Sequence, residues 1–311
     1  MITIKRYSLA DCLEWDSFVE QSKNGTFMLT RGYMDYHSDR FIDFSLLCYC
    51  DDKLIALLPG SLHGKEIRSH GGLTYGGLII SRKITTSKVL EVFESIASFL
   101  RDNNIESLLY KRVPSLYYSY PSDEDLYALF RMGAKLVRCD ISTCIDLSVK
   151  ISFSERRRRG ISIAKKNGLL VKQTNDYYTY VSILSEILSK YHNTKPVHTA
   201  DELLLLSKKF PNNIKLYGTF KEDRMIAGVV VYETFSVAHC QYIANSEEGR
   251  SCGALDILMD FLINDIYAPK HYFDFGISTE NGGLFLNEGL ITQKQEFGGR
   301  GIVYSCYRLL M

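Results

Sequence analysis

The sequence predicts a mixed α/β protein made of two similar halves, and three observations carry that expectation. First, one short pattern occurs twice, as Asp52-Lys53-Leu54-Ile55-Ala56 and as Asp223-Arg224-Met225-Ile226-Ala227. Each copy follows a strand-like run ending in an aromatic residue (Leu46 to Tyr49, Ile214 to Phe220) and precedes another apolar run, so both read as β-hairpins turning on charged residues. Second, the same elements follow each hairpin. An amphipathic helix presents Val89, Phe93, Ile96, Ala97 and Leu100 on one face in the first half, and Leu255, Leu258, Met259, Leu262 and Ile266 in the second. A strand comes next, Ser107 to Tyr110 and Tyr272 to Phe275. Third, a length of 311 residues with 46% apolar content suits two ordinary cores, since domains usually run about 100 to 200 residues.

The offset between halves drifts from 171 residues (223 minus 52) to about 165 (274 minus 109), which predicts a six-residue insertion in the first half, placed in the glycine-rich stretch Gly71 to Ile80. The boundary falls near Leu147 to Ser154, after the strand-like Lys135 to Leu147 and before a basic helix for which Ser154 is the expected N-cap. The expected domains are therefore residues 1–147 and 148–311. No proline-rich or low-complexity linker separates them, so tight packing and a cleft between or across the halves are expected.

Composition narrows the function. Thirty-seven Lys and Arg against thirty-six Asp and Glu give a net charge of +1, so any anionic partner has to be held by a local patch rather than by a global field. The start, Met1-Ile2-Thr3-Ile4-Lys5-Arg6-Tyr7, reads as a strand and lacks the basic and apolar regions of a signal peptide. No apolar run reaches the roughly 18 residues that span a bilayer. The eight cysteines show no C-x-x-C pair and no metal-ligand spacing, and read as reduced core residues in a cytoplasmic protein without a metal. The minimal residues of P-loop nucleotide triphosphatases, zincins and serine hydrolases are missing. His239, beside Cys240 on a strand, reads as a hydrogen-bonded core or cleft residue.

Three segments carry candidate chemistry. In Glu155-Arg156-Arg157-Arg158-Arg159-Gly160-Ile161-Ser162-Ile163-Ala164-Lys165-Lys166, helical spacing puts Arg158, Ser162 and Lys165 on one face and Arg157, Ile161 and Ala164 on another. Arg158 and Lys165 are then either a phosphate-binding stripe for nucleotide, coenzyme A or tRNA, or a solvated helix face. The segment Glu248-Gly249-Arg250-Ser251-Cys252-Gly253 reads as a glycine-bearing turn from a strand into an apolar helix, which suits a pyrophosphate if a ligand is present. The third runs from His271 to Arg300. There Asp274 lies between aromatic residues at a strand end, where it is costly unless paired or used, Gly276 allows close backbone approach, and Lys294 falls in a strand-like stretch before a Gly-Gly turn.

The residues Trp15 to Phe18 with Gly25-Thr26-Phe27, the Tyr75-Gly76-Gly77 turn, Arg158 through Gly168-Leu169, and above all Phe273-Asp274-Phe275-Gly276 with Gly289-Leu290, Lys294 and Phe297-Gly298-Gly299 resemble the Fem-type (FemABX) peptidyltransferases and related GNAT N-acyltransferases. The resemblance spans nearly the whole chain, and tandem GNAT domains would produce the internal repeat. It implies two GNAT-like (acyl-CoA N-acyltransferase-like) domains and a donor that is acyl-CoA, such as acetyl-CoA, or aminoacyl-tRNA. The implied acceptor is an amine of a cell-envelope sugar, peptidoglycan or polysaccharide precursor. It also implies that Lys294 stands against phosphate or the developing oxyanion and that Glu248, Gly249, Arg250 and Gly253 form the pyrophosphate loop. That loop lacks the final small residue of the GNAT pattern, offering Arg250, Gly253, Ala254 and then Leu255. Tyr75, Gly76, Gly77, Tyr242 and Ser278 join Arg158 and Lys165 as implied substrate contacts, and tRNA is an implied partner.

Acyl transfer to an amine needs a neutral nucleophile, a polarised donor carbonyl and a route for the leaving proton. Carbonyl or phosphate stabilisation falls to Lys294, and deprotonation or orientation of the acceptor to Asp274 or Glu280. The alternative reading is a non-catalytic GNAT-derived module that binds a nucleotide-linked glycan.

Overall fold

The structure, a computed structural model, describes residues 1–192 and 194–311. The chain forms two compact units, one of Met1–Asp140, Asn281–Phe285 and Val303–Met311, the other of Ile141–Glu280 and Leu286–Ile302. The chain end belongs to the first unit because Cys306 to Leu310 pair antiparallel with Lys111 to Ser107. Strand pairing between segments so far apart in sequence leaves no trace in local periodicity.

In the first unit the strands Ile2–Arg6, Leu46–Cys50, Lys53–Leu58 and Ile79–Ile80 form an antiparallel sheet in that order. The helix Thr86–Asp102 belongs to its core, and the five apolar residues predicted for its inner face are all buried. Between hairpin and helix the chain also makes the short strands Ser61–His63 and Glu66–Arg68.

In the second unit Leu170–Thr174, Ile214–Lys221, Arg224–Glu233 and Val237–Asn245 are antiparallel neighbours in that order. The next strand, Tyr272–Ile277, runs parallel to Val237–Asn245, as it must after the crossover through the helix Ala254–Phe261. The parallel pairing covers only Val237 to His239 against Tyr272 to Asp274. Beyond those residues the two strands part.

The internal repeat extends to backbone detail. Both hairpins have two-residue turns, Asp51-Asp52 between paired Cys50 and Lys53, and Glu222-Asp223 between paired Lys221 and Arg224. Asp51, Asp52 and Glu222 take positive φ values of 47°, 62° and 55°, the backbone that such tight turns demand. Each first strand also carries a register shift, at Cys48/Tyr49 and at Thr219/Phe220, and these shifts lie the same 171 residues apart (220 minus 49) as the turns. The architecture is mixed α/β, as expected. One core assignment differs, since Ile266 is 39% exposed. The helix Ala254–Phe261 changes at Leu262 to a wider π turn through Ile266, which rotates the following positions and buries Ile263 and Tyr267 instead.

Candidate functional site

The second unit holds a cavity of about 420 Å³, within the range of small-molecule sites. It opens where the parallel strands part, with Ile243 and Asn245 contributed by one and Phe275 by the other. Leu255, Asp256 and Met259 come from the crossover helix, Leu290, Gln293 and Lys294 from the helix Glu288–Gln295, and Arg156 and Arg157 from the helix Glu155–Lys166. Ile187, Gly249, Arg250, Gly253 and Phe297 complete it.

Lys294 lies on a helix rather than the expected strand-like stretch. Asn287 sets the start by capping it, its side chain accepting from the Leu290 N–H, and the strand begins only at Arg300. The lysine is 5% exposed, and its Nζ donates to the carbonyls of Gly276 and Ile277, both at 2.7 Å. Burial pulls its pKa down to about 8, against the opposing pull of Asp274 and Cys240. An ammonium has three donors, and two are engaged here.

The segment expected as a glycine-bearing turn is a short helix, Glu247–Ser251, capped by the Ser246 side chain accepting from the Gly249 N–H. Glu248 does not line the cavity and pairs with Lys221 and Arg224. Gly253 follows at φ 75°, and a Cβ there would stand 2.2 Å from the Gly160 carbonyl oxygen. The arginine helix thus crosses the start of the crossover helix at a glycine–glycine contact, which is a packing reason for both residues.

That crossing decides which arginines reach the cavity. Ser154 caps the helix as predicted, accepting from the Arg157 N–H. Arg157, Ile161 and Ala164 are buried on its inner face. Arg157 pairs with Asp256 at 2.8 Å and Glu296 at 2.6 Å and lies over the Phe297 ring at 4.8 Å. Arg158 and Lys165 are exposed on the outer faces, Arg158 in a shallow depression with Arg159, Ser162 and Lys166, and neither lines the cavity. The arginines that do, Arg156 and Arg157, were legible only as members of the same run. Phe297 stacks on Phe275 with ring centres 5.8 Å apart, forming an aromatic floor.

The remaining expected residues stand elsewhere. Asp274 has no exposed surface and does not line the cavity; its Oδ1 accepts from Ser142 Oγ, and its Oδ2 lies 2.7 Å from His239 Nδ1. Glu280 is exposed and accepts from the Asn287 side chain at 3.0 Å. Tyr242 hydrogen-bonds His198 at 2.5 Å, and burial pushes its pKa up to about 12. Ser278 is buried, its N–H donating to the Ile141 carbonyl. Tyr75, Gly76 and Gly77 belong to the first unit. There Tyr75 donates to Thr26 Oγ1 at 3.2 Å, the Gly76 N–H donates to the Lys111 carbonyl, and Gly77 sits at φ 59°. Among the described residues no cluster of His, Cys, Asp or Glu could hold a metal ion, and no helix is long and apolar enough to cross a membrane.

No family model and no curated protein sequence matches the chain. Solved structures do. FemX superposes with a TM-score of 0.69 at 11% identity, over 99% of this chain and 97% of its own. L-PGS from Bacillus licheniformis gives 0.59 at 12% identity, over 96% and 90%. A tandem GNAT protein from the clavulanic acid biosynthesis pathway gives 0.53 at 13% identity, over 100% and 98%. At such identities the likeness is one of fold: this chain has a fold shared with FemX and with a tandem GNAT protein.

Proposed function

We propose that the chain is an N-acyltransferase or aminoacyltransferase that works in the cytoplasm, taking its acyl group from acyl-CoA or aminoacyl-tRNA. The acceptor is an amine of a cell-envelope sugar, peptidoglycan or polysaccharide precursor. One observation carries the reading: a cavity at the parting of two parallel strands combines a cationic rim, Arg156 and Arg250, with an apolar wall and a buried lysine. Phosphates of a donor suit the rim, and its apolar arm suits Ile243, Leu255 and Phe275. Lys294, with two of its donors fixed on carbonyls, has a third to place on the donor carbonyl oxygen as charge develops there. The expected roles of Glu248, Gly249, Arg250 and Gly253 reduce in this reading to Arg250 as the phosphate contact and the glycines as the backbone that admits it.

A specific observation favours the non-catalytic alternative: Leu255 lines the cavity where the GNAT loop pattern has a small residue. Calorimetric titration with acetyl-coenzyme A and with nucleotide-linked sugars, followed by transfer assays from acetyl-coenzyme A and alanyl-tRNA to glucosamine and a lysine peptide, separates the two. Binding with acyl transfer supports the enzyme. Binding of nucleotide-linked sugars without transfer from either donor supports the module.

A further inference from the structure

On the sheet face turned away from the cavity, the second unit holds a pair of titratable side chains that this chemistry has not used. Alternation along the parallel strands sends Ala238 and Cys240 into the core beneath the crossover helix and His239 to the other face. Phe273 and Phe275 join the same core while Asp274 turns away from it. The register sets His239 directly opposite Asp274. Asp274 Oδ1 accepts from Ser142 Oγ at 2.5 Å and from the Gly276 N–H at 3.2 Å, and Oδ2 lies 2.7 Å from His239 Nδ1. A carboxylate is an acceptor, so this network assigns the proton to Nδ1 and leaves the lone pair on Nε2. His239 keeps 8% of its surface exposed, and among the described residues its ring makes no hydrogen bond besides that to Asp274.

Gly276 joins this pair to the lysine. Its carbonyl accepts from Lys294 Nζ, and His239 Cε1 lies 3.5 Å from where a Cβ on residue 276 would stand. Lysine, from the cavity, and histidine, from the opposite face, thus reach one backbone residue just where the parallel strands part, so the acceptor amine has to meet the donor carbonyl at that gap from the His239 side. The geometry points to His239 as the proton acceptor of the transfer, with Asp274 as the positioning residue that holds its tautomer. This inference rests on the transferase reading above.

In the step, the acceptor amine nitrogen bonds to the donor carbonyl carbon while the C–S bond of a thioester, or the C–O bond of an aminoacyl ester, breaks. The amine's proton passes to His239 Nε2 and then to the departing thiolate or alkoxide, leaving amide, thiol or alcohol, and neutral histidine. The titratable groups around the pair are Tyr232, opposite His239; Cys144, opposite Asp274; and Cys240 and Lys294, which both feel the Asp274 charge. Burial holds both thiols protonated. A base acts only in its unprotonated form, so a histidine base gives the profile an acid limb, and the loss of the Lys294 proton gives the alkaline limb.

The test is the pH profile of transfer from acetyl-coenzyme A and alanyl-tRNA to glucosamine and a lysine peptide, for the wild-type chain, His239→Gln and Asp274→Asn. His239→Gln should lower transfer by about 10²- to 10⁴-fold and remove the acid limb. Asp274→Asn should lower it less and move that limb, which a purely structural role would not do. A folded His239→Gln with wild-type rate and acid limb overturns this inference and leaves the transferase reading standing. A wild-type chain inert with both donors overturns both. Histidine-selective ¹⁵N NMR of the unmodified chain reads the tautomer without relying on a variant's folding, and a proton on Nε2 of neutral His239 overturns the assignment.

Discussion

Replacing Lys294 with methionine keeps the stem's apolar volume and removes a buried cation. Two effects on stability oppose each other. The carbonyls of Gly276 and Ile277 lose their donor, at about 1 to 3 kcal/mol each. Against this, the lysine's pKa falls from 10.5 to about 8 in the fold, a penalty of about 3 kcal/mol on the charged form at neutral pH that the variant escapes. The net runs from about 1 kcal/mol of stabilisation to about 3 kcal/mol of destabilisation, so the melting temperature falls by no more than about 10 °C. The sign can be checked by pH. Between about 8 and 10.5 the unfolded chain holds a proton that folded Lys294 has lost, so wild-type stability gains on the variant as pH rises through that window. Turnover should fall by roughly a hundred- to a thousand-fold, the loss of about 2.7 to 4 kcal/mol of transition-state stabilisation. Wild-type rate should itself decline above about pH 8, as the ammonium is lost. Transfer assays with thermal melting as the folding control measure all of this, and a folded variant with near-normal turnover removes Lys294 from the mechanism.

With Arg158 and Lys165 outside the cavity, replacing both with alanine should leave acetyl-coenzyme A binding unchanged by calorimetry; if tRNA is the donor, the salt slope of its binding should drop by about one per lost phosphate contact. Gly253→Ala sets a Cβ against the Gly160 carbonyl and requires positive φ, so it should cost about 2 to 5 kcal/mol in chemical denaturation, and a change under about 1 kcal/mol would mean the helix crossing is soft. Arg157→Ala leaves Asp256 and Glu296 without their shared partner and should cost about 3 to 5 kcal/mol; an unchanged denaturation midpoint would refute that pairing.

Features that depend on neighbours along the chain are legible in the order of residues. The two hairpins, their 171-residue offset, the buried face of Thr86–Asp102 and the Ser154 cap all follow from local periodicity and turn chemistry. Helical phase even placed Arg157 with Ile161 and Ala164 on the docking face. Which charges are used depends on contacts between distant segments. Arg157 meets Asp256 across 99 residues of sequence, and His239 meets Asp274 across 35. Lys294 owes its lowered pKa to burial against the carbonyls of a strand 17 and 18 residues before it. A lysine before two glycines fits a helix end as well as a strand end, and the Asn287 cap that makes Lys294 helical lies seven residues earlier. The same holds for the chain end, whose place in the first unit comes from pairing with Ser107–Lys111. Periodicity reports which face of an element is apolar; the partner that buries it, and so the electrostatics of every ionisable group on it, is set by which distant segment packs there.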